Sequence, residues 1–339
     1  MGKKGVLLAN LGTPDAPSRW AVYKYLRQFL MDGRVIDVPA VPRALLVEGI
    51  IAPFRSGSSA KLYKMLWTDE GSPIKKYGYV LRDEVQKELG EDYHVVLGMR
   101  YQNPSLESAV TELLEAGVDD ITVFPLFPHY ASASTGSVHD EVMRLLRKEQ
   151  VIPTAKFINS YYDHPALIKV FADNARKYDL DSYDHFVFSF HGLPQRHMKK
   201  ADRTKQHCIK KENCCSTICD ANKFCYSAQC HATAHAIAAE LGLSKDQYSI
   251  SYQSRLGRDP WLLPYTDKVL EARVKEHGDK NILAFSPAFV ADCLETTIEI
   301  GVEYKEEFEE WGGHELDLVE SLNDNPQWIK AVANMVAEA

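Results

Sequence analysis

Short apolar runs alternate along this chain with longer amphipathic stretches. Residues 5–10, Gly5-Val6-Leu7-Leu8-Ala9-Asn10, form one run of strand length, and 95–99 and 121–127 repeat it. Between these runs, residues 21–30 place Val22, Tyr25, Leu26 and Phe29 on one side of a helix. A second helix is expected over 106–115 with Ser105 as its N-cap, and a third over 137–148. Buried strands separated by helices predict a mostly parallel sheet with right-handed crossovers. After Ile152-Pro153 and His164-Pro165 the pattern starts again, with strands at 186–190, 248–252 and 282–285 and helices at 233–241, 266–275 and 294–304. No residue-level repeat relates the halves. The expected fold is α/β, with two similar Rossmann-like domains over 1–158 and 159–339, the second ending in a helix near 326–338.

One segment, about 35–73, departs from this alternation. Its apolar stretch Ala44-Leu45-Leu46-Val47-Glu48-Gly49-Ile50-Ile51-Ala52-Pro53-Phe54 spans only about half a bilayer. It reads equally as a core helix or as a lip that covers an apolar ligand or touches a membrane surface.

Composition narrows the class. The 339 residues are 45% hydrophobic and 25% charged, as expected of a globular chain. A formal net charge of -8 argues against a general nucleic-acid binder. No apolar run is long enough to span a membrane, and the first run is too short for a signal peptide, so a cytoplasmic protein is expected. Seven cysteines in that setting should be thiols or metal ligands rather than disulfides. Cys208, Cys214, Cys215, Cys219 and Cys225 crowd into a lysine-rich stretch at about 204–227; Cys230 follows and Cys293 stands apart. Cys215 and Cys219 have the spacing of one structural-zinc pair, but the set does not match plant-type ferredoxins. Spacing therefore points to a thiolate metal site without naming the metal. Adjacent side chains rarely converge on one metal, so one of Cys214 and Cys215 is expected to be a bystander. His231 and His235, four apart in an alanine-rich helix, read as an ordinary helix face.

The chemistry-bearing residues fall at the strand ends. Gly-x-Gly-x-x-Gly, phosphate-loop and Gly-x-Ser-x-Gly signatures are absent from the sequence, which weakens dinucleotide, nucleotide and hydrolase readings. Instead the strands end in Asn10-Leu11-Gly12-Thr13, Arg100-Tyr101, Pro128-His129-Tyr130, His191-Gly192, Gln253-Ser254-Arg255 and Ser286-Pro287. These ends are expected to line a cleft between the two sheets that suits a flat, greasy ligand. His191 closes the run Phe186-Val187-Phe188-Ser189-Phe190; a histidine there can move a proton or bind a metal near neutral pH. In Asp292-Cys293-Leu294-Glu295-Thr296-Thr297-Ile298-Glu299 the acids are expected on one helix face. The helix dipole would account for Asp292 but not for Glu299, beyond the first turn. A carboxylate ladder could pass protons or a divalent cation.

The blocks Leu8-Ala9-Asn10-Leu11-Gly12-Thr13-Pro14-Asp15, Gly71-Ser72-Pro73-Ile74, Gly98-Met99-Arg100-Tyr101 and Pro128-His129-Tyr130 resemble ferrochelatases. So do Ser189-Phe190-His191-Gly192-Leu193-Pro194, the run from Tyr252 through Arg255, Arg258 and Trp261 to Leu262, and Ala291-Asp292-Cys293-Leu294-Glu295-Thr296. The resemblance spans nearly the whole chain. It implies two chelatase domains and insertion of Fe2+, a substrate, into protoporphyrin IX at the end of haem synthesis. It matches His191 and Glu295 to the family's active-site histidine and glutamate, and Asp292 and Glu299 to further acidic positions on the iron path. It places Ser72, Arg100 and Tyr101 near the porphyrin; Asn10, Leu11, Tyr130 and Trp261, in or beside the same blocks, are assigned to contact it.

The cysteine-rich segment is an insertion relative to simpler bacterial members. Animal ferrochelatases hold a 2Fe-2S cluster with three cysteines of a C-terminal extension and a fourth after Pro-x-Tyr. Here Ser132 occupies that fourth position and the sequence carries no such extension, so a monomer is expected. The resemblance to bacterial members with an internal cluster implies a 2Fe-2S site on Cys208, Cys215, Cys219 and Cys225, with Cys214 as alternate to Cys215. Alternatives are a coproporphyrin ferrochelatase, a cobalt chelatase of the same fold, or a non-catalytic haem or iron–sulfur sensor. Nucleic acid is not an expected partner; a peripheral membrane contact at the lip is.

Overall fold

Val6, Leu7, Leu8 and Ala9 are fully buried in β1 (Lys4–Gly12), as an apolar run without alternation requires when helices cover both faces of a sheet. The structure, a computed structural model, describes residues 2–257 and 259–339; Arg258 of the matched blocks lies outside them. β1 pairs in parallel with β2 (Tyr93–Tyr101) and β3 (Asp120–Pro125), and β4 (Thr154–Phe157) joins β3 at the edge. The strand order is β2-β1-β3-β4. Around this sheet run α1 (Arg19–Leu30), α2 (Ala40–Leu46), α3 (Ala52–Leu66), α4 (Pro73–Leu89), α5 (Leu106–Glu115) and α6 (Thr135–Leu146). Ser18 and Ser105 cap α1 and α5 through their side-chain oxygens.

The second sheet repeats the topology in the order β6-β5-β7-β8. Its strands are β5 (His185–His191), β6 (Tyr248–Gln253), β7 (Asn281–Phe285) and β8 (Glu315–Leu318), all parallel. With it come α7 (Pro165–Ala175), α8 (Gln195–Ala201), α9 (Tyr226–Glu240), α10 (Thr266–Ala272) and α11 (Lys305–Glu310). Val187, Ile282, Ala284, Ile300, Phe308 and Leu316 are buried together in its core. In each sheet the first strand has neighbours reached in opposite directions, which makes its carboxyl end the place where α/β sheets bind ligands.

The chain divides into two units, one running to Phe127 and adding Ser132–Asn159 and Asp324–Ala339, the other holding Pro128–Ala131 and Ser160–Asn323. This corrects the simple division at 158/159 in two places. The last helix, α12 (Pro326–Glu338), packs on α4 in the first unit through a buried stripe that includes Trp328, Val332 and Val336. Pro128-His129-Tyr130 belongs to the second unit, where His129 Nε2 lies 2.8 Å from Thr233 Oγ1.

The apolar 44–54 stretch is helical throughout, α2 passing through a π-helical turn (Val47–Ile51) into α3. Pro53 has no N–H to give to residue 49, and the turn widens immediately before it. Val47 and Ile51 are buried, while Leu45 is 70%, Ile50 57% and Phe54 79% exposed. The segment is therefore not plain core.

Candidate active site

The turn after His191 is drawn tightly onto β6. Gly192 N–H donates to the Gln253 carbonyl at 2.7 Å. A Cβ on Gly192 would come within 2.7 Å of that carbonyl oxygen, so only glycine allows the approach. His191 is the register partner of Gln253, three residues beyond the last β5–β7 pair, Phe188 with Phe285. The ring of His191 meets Phe289 edge-on at 6.2 Å, and its Nδ1 is buried without a hydrogen-bond partner among the described residues. Beside it, at the end of β7, the Ser286 hydroxyl is likewise buried and unpaired among the described residues. Buried polar atoms left open in this way mark a place where a ligand group can complete the bonding. Trp261 braces the turn, bridging to Pro194 and donating its indole N–H to the Leu256 carbonyl at 3.0 Å.

The acidic segment differs from a plain α-helix. Leu294–Tyr304 is a π-helix, capped by Cys293 and Thr296 in a reciprocal box. With hydrogen bonds running i to i+5, residues four apart fall just short of a full turn. Glu295, Glu299 and Glu303 therefore stack in a shallow spiral. Glu303 was missed by the sequence reading, although its Glu-x3-Glu-x3-Glu spacing was visible. Burial, helped by the negative charge of Glu299, raises Glu303 above the ordinary carboxyl range.

Asp292 does not join this row, contrary to expectation. It precedes the helix and takes hydrogen bonds from Asn323 Nδ2 at 2.7 Å and Ser321 N–H at 3.3 Å. Its carboxylate anchors the loop after β8.

A buried polar chain connects the acids to the strand ends. Gln253 Nε2 donates to the Glu295 carbonyl at 2.6 Å and to the Glu299 carboxylate at 3.1 Å, while its Oε1 accepts from Ser189 at 2.8 Å. Ser189 and Ser251 both meet the Thr266 hydroxyl. Ser254, held at φ 58, also donates to Glu299, and Tyr304 O–H donates to its other oxygen at 3.2 Å. A non-glycine residue in the left-handed region stores strain, and here it aims a hydroxyl at the acid. Burial, the negative charge of Glu295 and a hydrogen bond to it hold the Cys293 thiol well above the usual thiol range.

In the first unit the expected porphyrin contacts divide. Tyr101 is 0% exposed and gives its hydroxyl to Asp32 at 2.9 Å; Ser72 is also fully buried and accepts from Thr13 at 3.0 Å. Both side chains are enclosed by the fold. Arg100 is committed to Asp32 at 2.7 Å and to Ser137 Oγ at 2.7 Å. Burial opposes ionisation of Asp32, but hydrogen bonds from Ser137 and the Arg34 backbone and the charge of Arg100 outweigh it, so Asp32 lies below its ordinary range. Asn10 is buried and caps the Leu11 N–H, whereas Leu11 keeps part of its surface. In the second unit Tyr130 and Trp261 are half-buried, Tyr130 packing on Phe224 at 5.9 Å.

The cysteine-rich segment has its own polar frame. The buried Asp202 carboxylate accepts from Thr204, from the His207 N–H at 2.8 Å and from the Cys208 N–H at 3.0 Å. Asn222, also buried, holds the carbonyls of Cys214 and Thr217 and the N–H of Cys219. Inside this frame the thiols of Cys208, Cys225 and Cys215 form a hydrogen-bonded chain, and Cys214 Sγ lies 3.8 Å from Cys215 Sγ. The bond to Cys208 and burial push the Cys225 thiol up to about 12. Cys219 stands apart and exposed, 3.9 Å from His207 Nε2. Among the described residues no group of three or more His, Cys, Asp or Glu is placed to hold a metal ion.

Two parallel α/β units with a histidine at the switch point and an acidic helix beside it define a chelatase-type protein. The fold is shared with "SirB from Bacillus subtilis with Fe3+", at a TM-score of 0.54 and 10% identity, covering 99% of this chain and 95% of that one. The ferrochelatase family model matches residues 3–339, and the chain belongs to that family of lyases, which insert metal into porphyrin. Ferrochelatase of Legionella pneumophila (strain Lens) is 43% identical over 336 residues, 99% of both chains. That of Coxiella burnetii (strain Dugway 5J108-111) is 42% identical over 341 residues, covering 99% of this chain and 94% of its own. No helix among the described residues is long and apolar enough to cross a membrane.

Proposed function

We propose that His191, Glu295 and Glu299 carry the insertion of ferrous iron into protoporphyrin IX, the closing step of haem synthesis. Insertion exchanges two pyrrole N–H protons for one Fe2+. His191 accepts one proton, and a carboxylate of the row accepts the other. Glu299 and Glu303 hold negative charge that draws in the arriving cation. Gln253 is the observation that supports this division of labour, since it is tied at once to the strand bearing His191 and to the helix bearing the acids. Leu11, Arg100, Tyr130 and Trp261 are the expected porphyrin contacts that keep exposed surface. Anaerobic insertion of Fe2+ into protoporphyrin and coproporphyrin, measured side by side, tests the reading. Faster turnover of protoporphyrin supports it; turnover of coproporphyrin alone, or cobalt insertion into a corrin precursor alone, replaces it.

The cysteine segment is proposed to hold a 2Fe-2S cluster on Cys208, Cys215, Cys219 and Cys225, with Cys214 as alternate to Cys215. A cluster of this kind supplies one-electron chemistry or a structural tie. What supports the assignment is an all-thiol donor set inside a buried polar frame. The protein is read as cytoplasmic, with the exposed face of α2–α3 meeting porphyrin or a membrane surface.

A further inference from the structure

The carbonyl of His191 is bonded from an unexpected direction. The β5–β7 pairing ends at Phe188 and Phe285, so β7 does not pair with His191. The Tyr226 hydroxyl fills the place, donating to the His191 carbonyl at 2.9 Å. Tyr226 is buried, and its hydroxyl is turned to that carbonyl.

Tyr226 is also the first residue of α9, immediately after the N-cap Cys225. Cys225 N–H donates to the Asn222 carbonyl at 2.7 Å, and Asn222 is the residue that braces Cys214, Thr217 and Cys219. One residue on, Ser227 Oγ lies 3.3 Å from Cys215 Sγ and 2.8 Å from the Tyr252 hydroxyl. The Cys230 thiol, one turn further along, lies against the Tyr226 hydroxyl. The start of α9 is thus pinned between the thiol-bearing segment and the end of β5.

We propose that Tyr226 is a positioning residue for His191, and that the cysteine segment sets where Tyr226 stands. The proposal rests on the reading of His191 as the proton acceptor. With the phenol in place, the strand end is held from β6 on one side and α9 on the other, and the imidazole has one orientation. Without it, a buried carbonyl loses its partner and the strand end can turn. Any change that rearranges the thiols shifts Cys225, and with it the phenol.

Tyr226→Phe tests this, read by kcat, the KM for porphyrin, the pH dependence of kcat and the His191 ring signals in NMR. The expected result is a kcat lower by about tenfold or more, an unchanged KM for porphyrin, and shifted or broadened His191 ring signals. Cys215→Ser should move the same ring signals in the same sense, with no porphyrin bound and whatever the iron content. Normal kcat with unmoved ring signals in Tyr226→Phe overturns the proposal, as does a lowered Tm with kcat intact, which would make the bond merely structural. Should His191→Ala itself prove active, the reading of His191 fails instead, and the ring signals still report whether Tyr226 orients it.

Discussion

The side-chain amide of Gln253 donates to the backbone carbonyl of Glu295 across 2.6 Å, fixing the first turn of the acidic π-helix to the strand that pairs with His191. The same nitrogen reaches Glu299 and the amide oxygen takes the Ser189 hydroxyl, so every polar atom of this side chain is engaged. Gln253→Leu keeps the bulk and removes one hydrogen bond each from the Glu295 carbonyl, the Glu299 carboxylate and the Ser189 hydroxyl. It should lower stability by about 2–4 kcal/mol and cut the insertion rate more than about tenfold, with porphyrin binding retained. Urea unfolding and steady-state kinetics check both; an unchanged rate would show that the tie is irrelevant to the chemistry.

Glu303 binds its proton more firmly in the folded chain than it would unfolded. The folded state therefore carries more proton through and above the carboxyl range, and stability falls as pH rises through that window. Glu303→Gln should raise Tm at pH 8 and leave it unchanged at pH 4. If the carboxylate helps to deliver iron, the same variant raises the KM for Fe2+ and not that for porphyrin. A rise in both would point to distortion of the helix.

The thiols give a prediction that separates Cys215 from its alternate Cys214. Cys208→Ser, Cys219→Ser and Cys225→Ser should each abolish the visible absorption and the acid-labile sulfide. Either Cys215→Ser or Cys214→Ser should do so, but not both. Because the free thiols of Cys215 and Cys225 lie above their ordinary range, metal uptake must displace protons and should weaken as pH falls from 8 to 6. Stoichiometric zinc without sulfide, in protein purified anaerobically, contradicts the cluster.

Much of this was legible in the sequence, and the exceptions have physical reasons. The buried strands announced themselves because each is a continuous apolar run, and His191 stood out as a candidate because such a run stops at His-Gly. The edge strands β4 and β8 escaped, each being four residues long and only partly buried. Periodicity drawn for an α-helix could not reveal that Leu294–Tyr304 is wound wider or that it begins only after Asp292, while Glu303 stood at a visible Glu-x3-Glu-x3-Glu spacing. Tyr101 and Ser72 were assigned by likeness alone, and their burial depends on Asp32 and Thr13, distant in sequence. The return of α12 to α4 is a long-range contact that no local pattern encodes.

The α2–α3 surface separates ligand contact from core. Leu45→Ser, Ile50→Ser and Phe54→Ser should leave Tm within about 0.5 kcal/mol of stability, as exposed positions do, while raising the KM for porphyrin. Ile51→Ser, at a site 9% exposed, should cost about 2–4 kcal/mol. Loss of soluble protein from the exposed set would mean that these side chains are covered in the working molecule.

The central claim is that His191 receives a pyrrole proton and is not needed to hold the porphyrin. Its most direct test is His191→Ala, assayed in parallel for metal insertion with Fe2+, Zn2+ and Co2+ and for porphyrin binding by fluorescence quenching. The account predicts that insertion of all three metals falls by about a thousandfold or more, in the range that loss of a general base reaches, while the Kd for porphyrin stays within about threefold. Near-normal turnover with any of the metals, or loss of porphyrin binding in parallel with turnover, would contradict it.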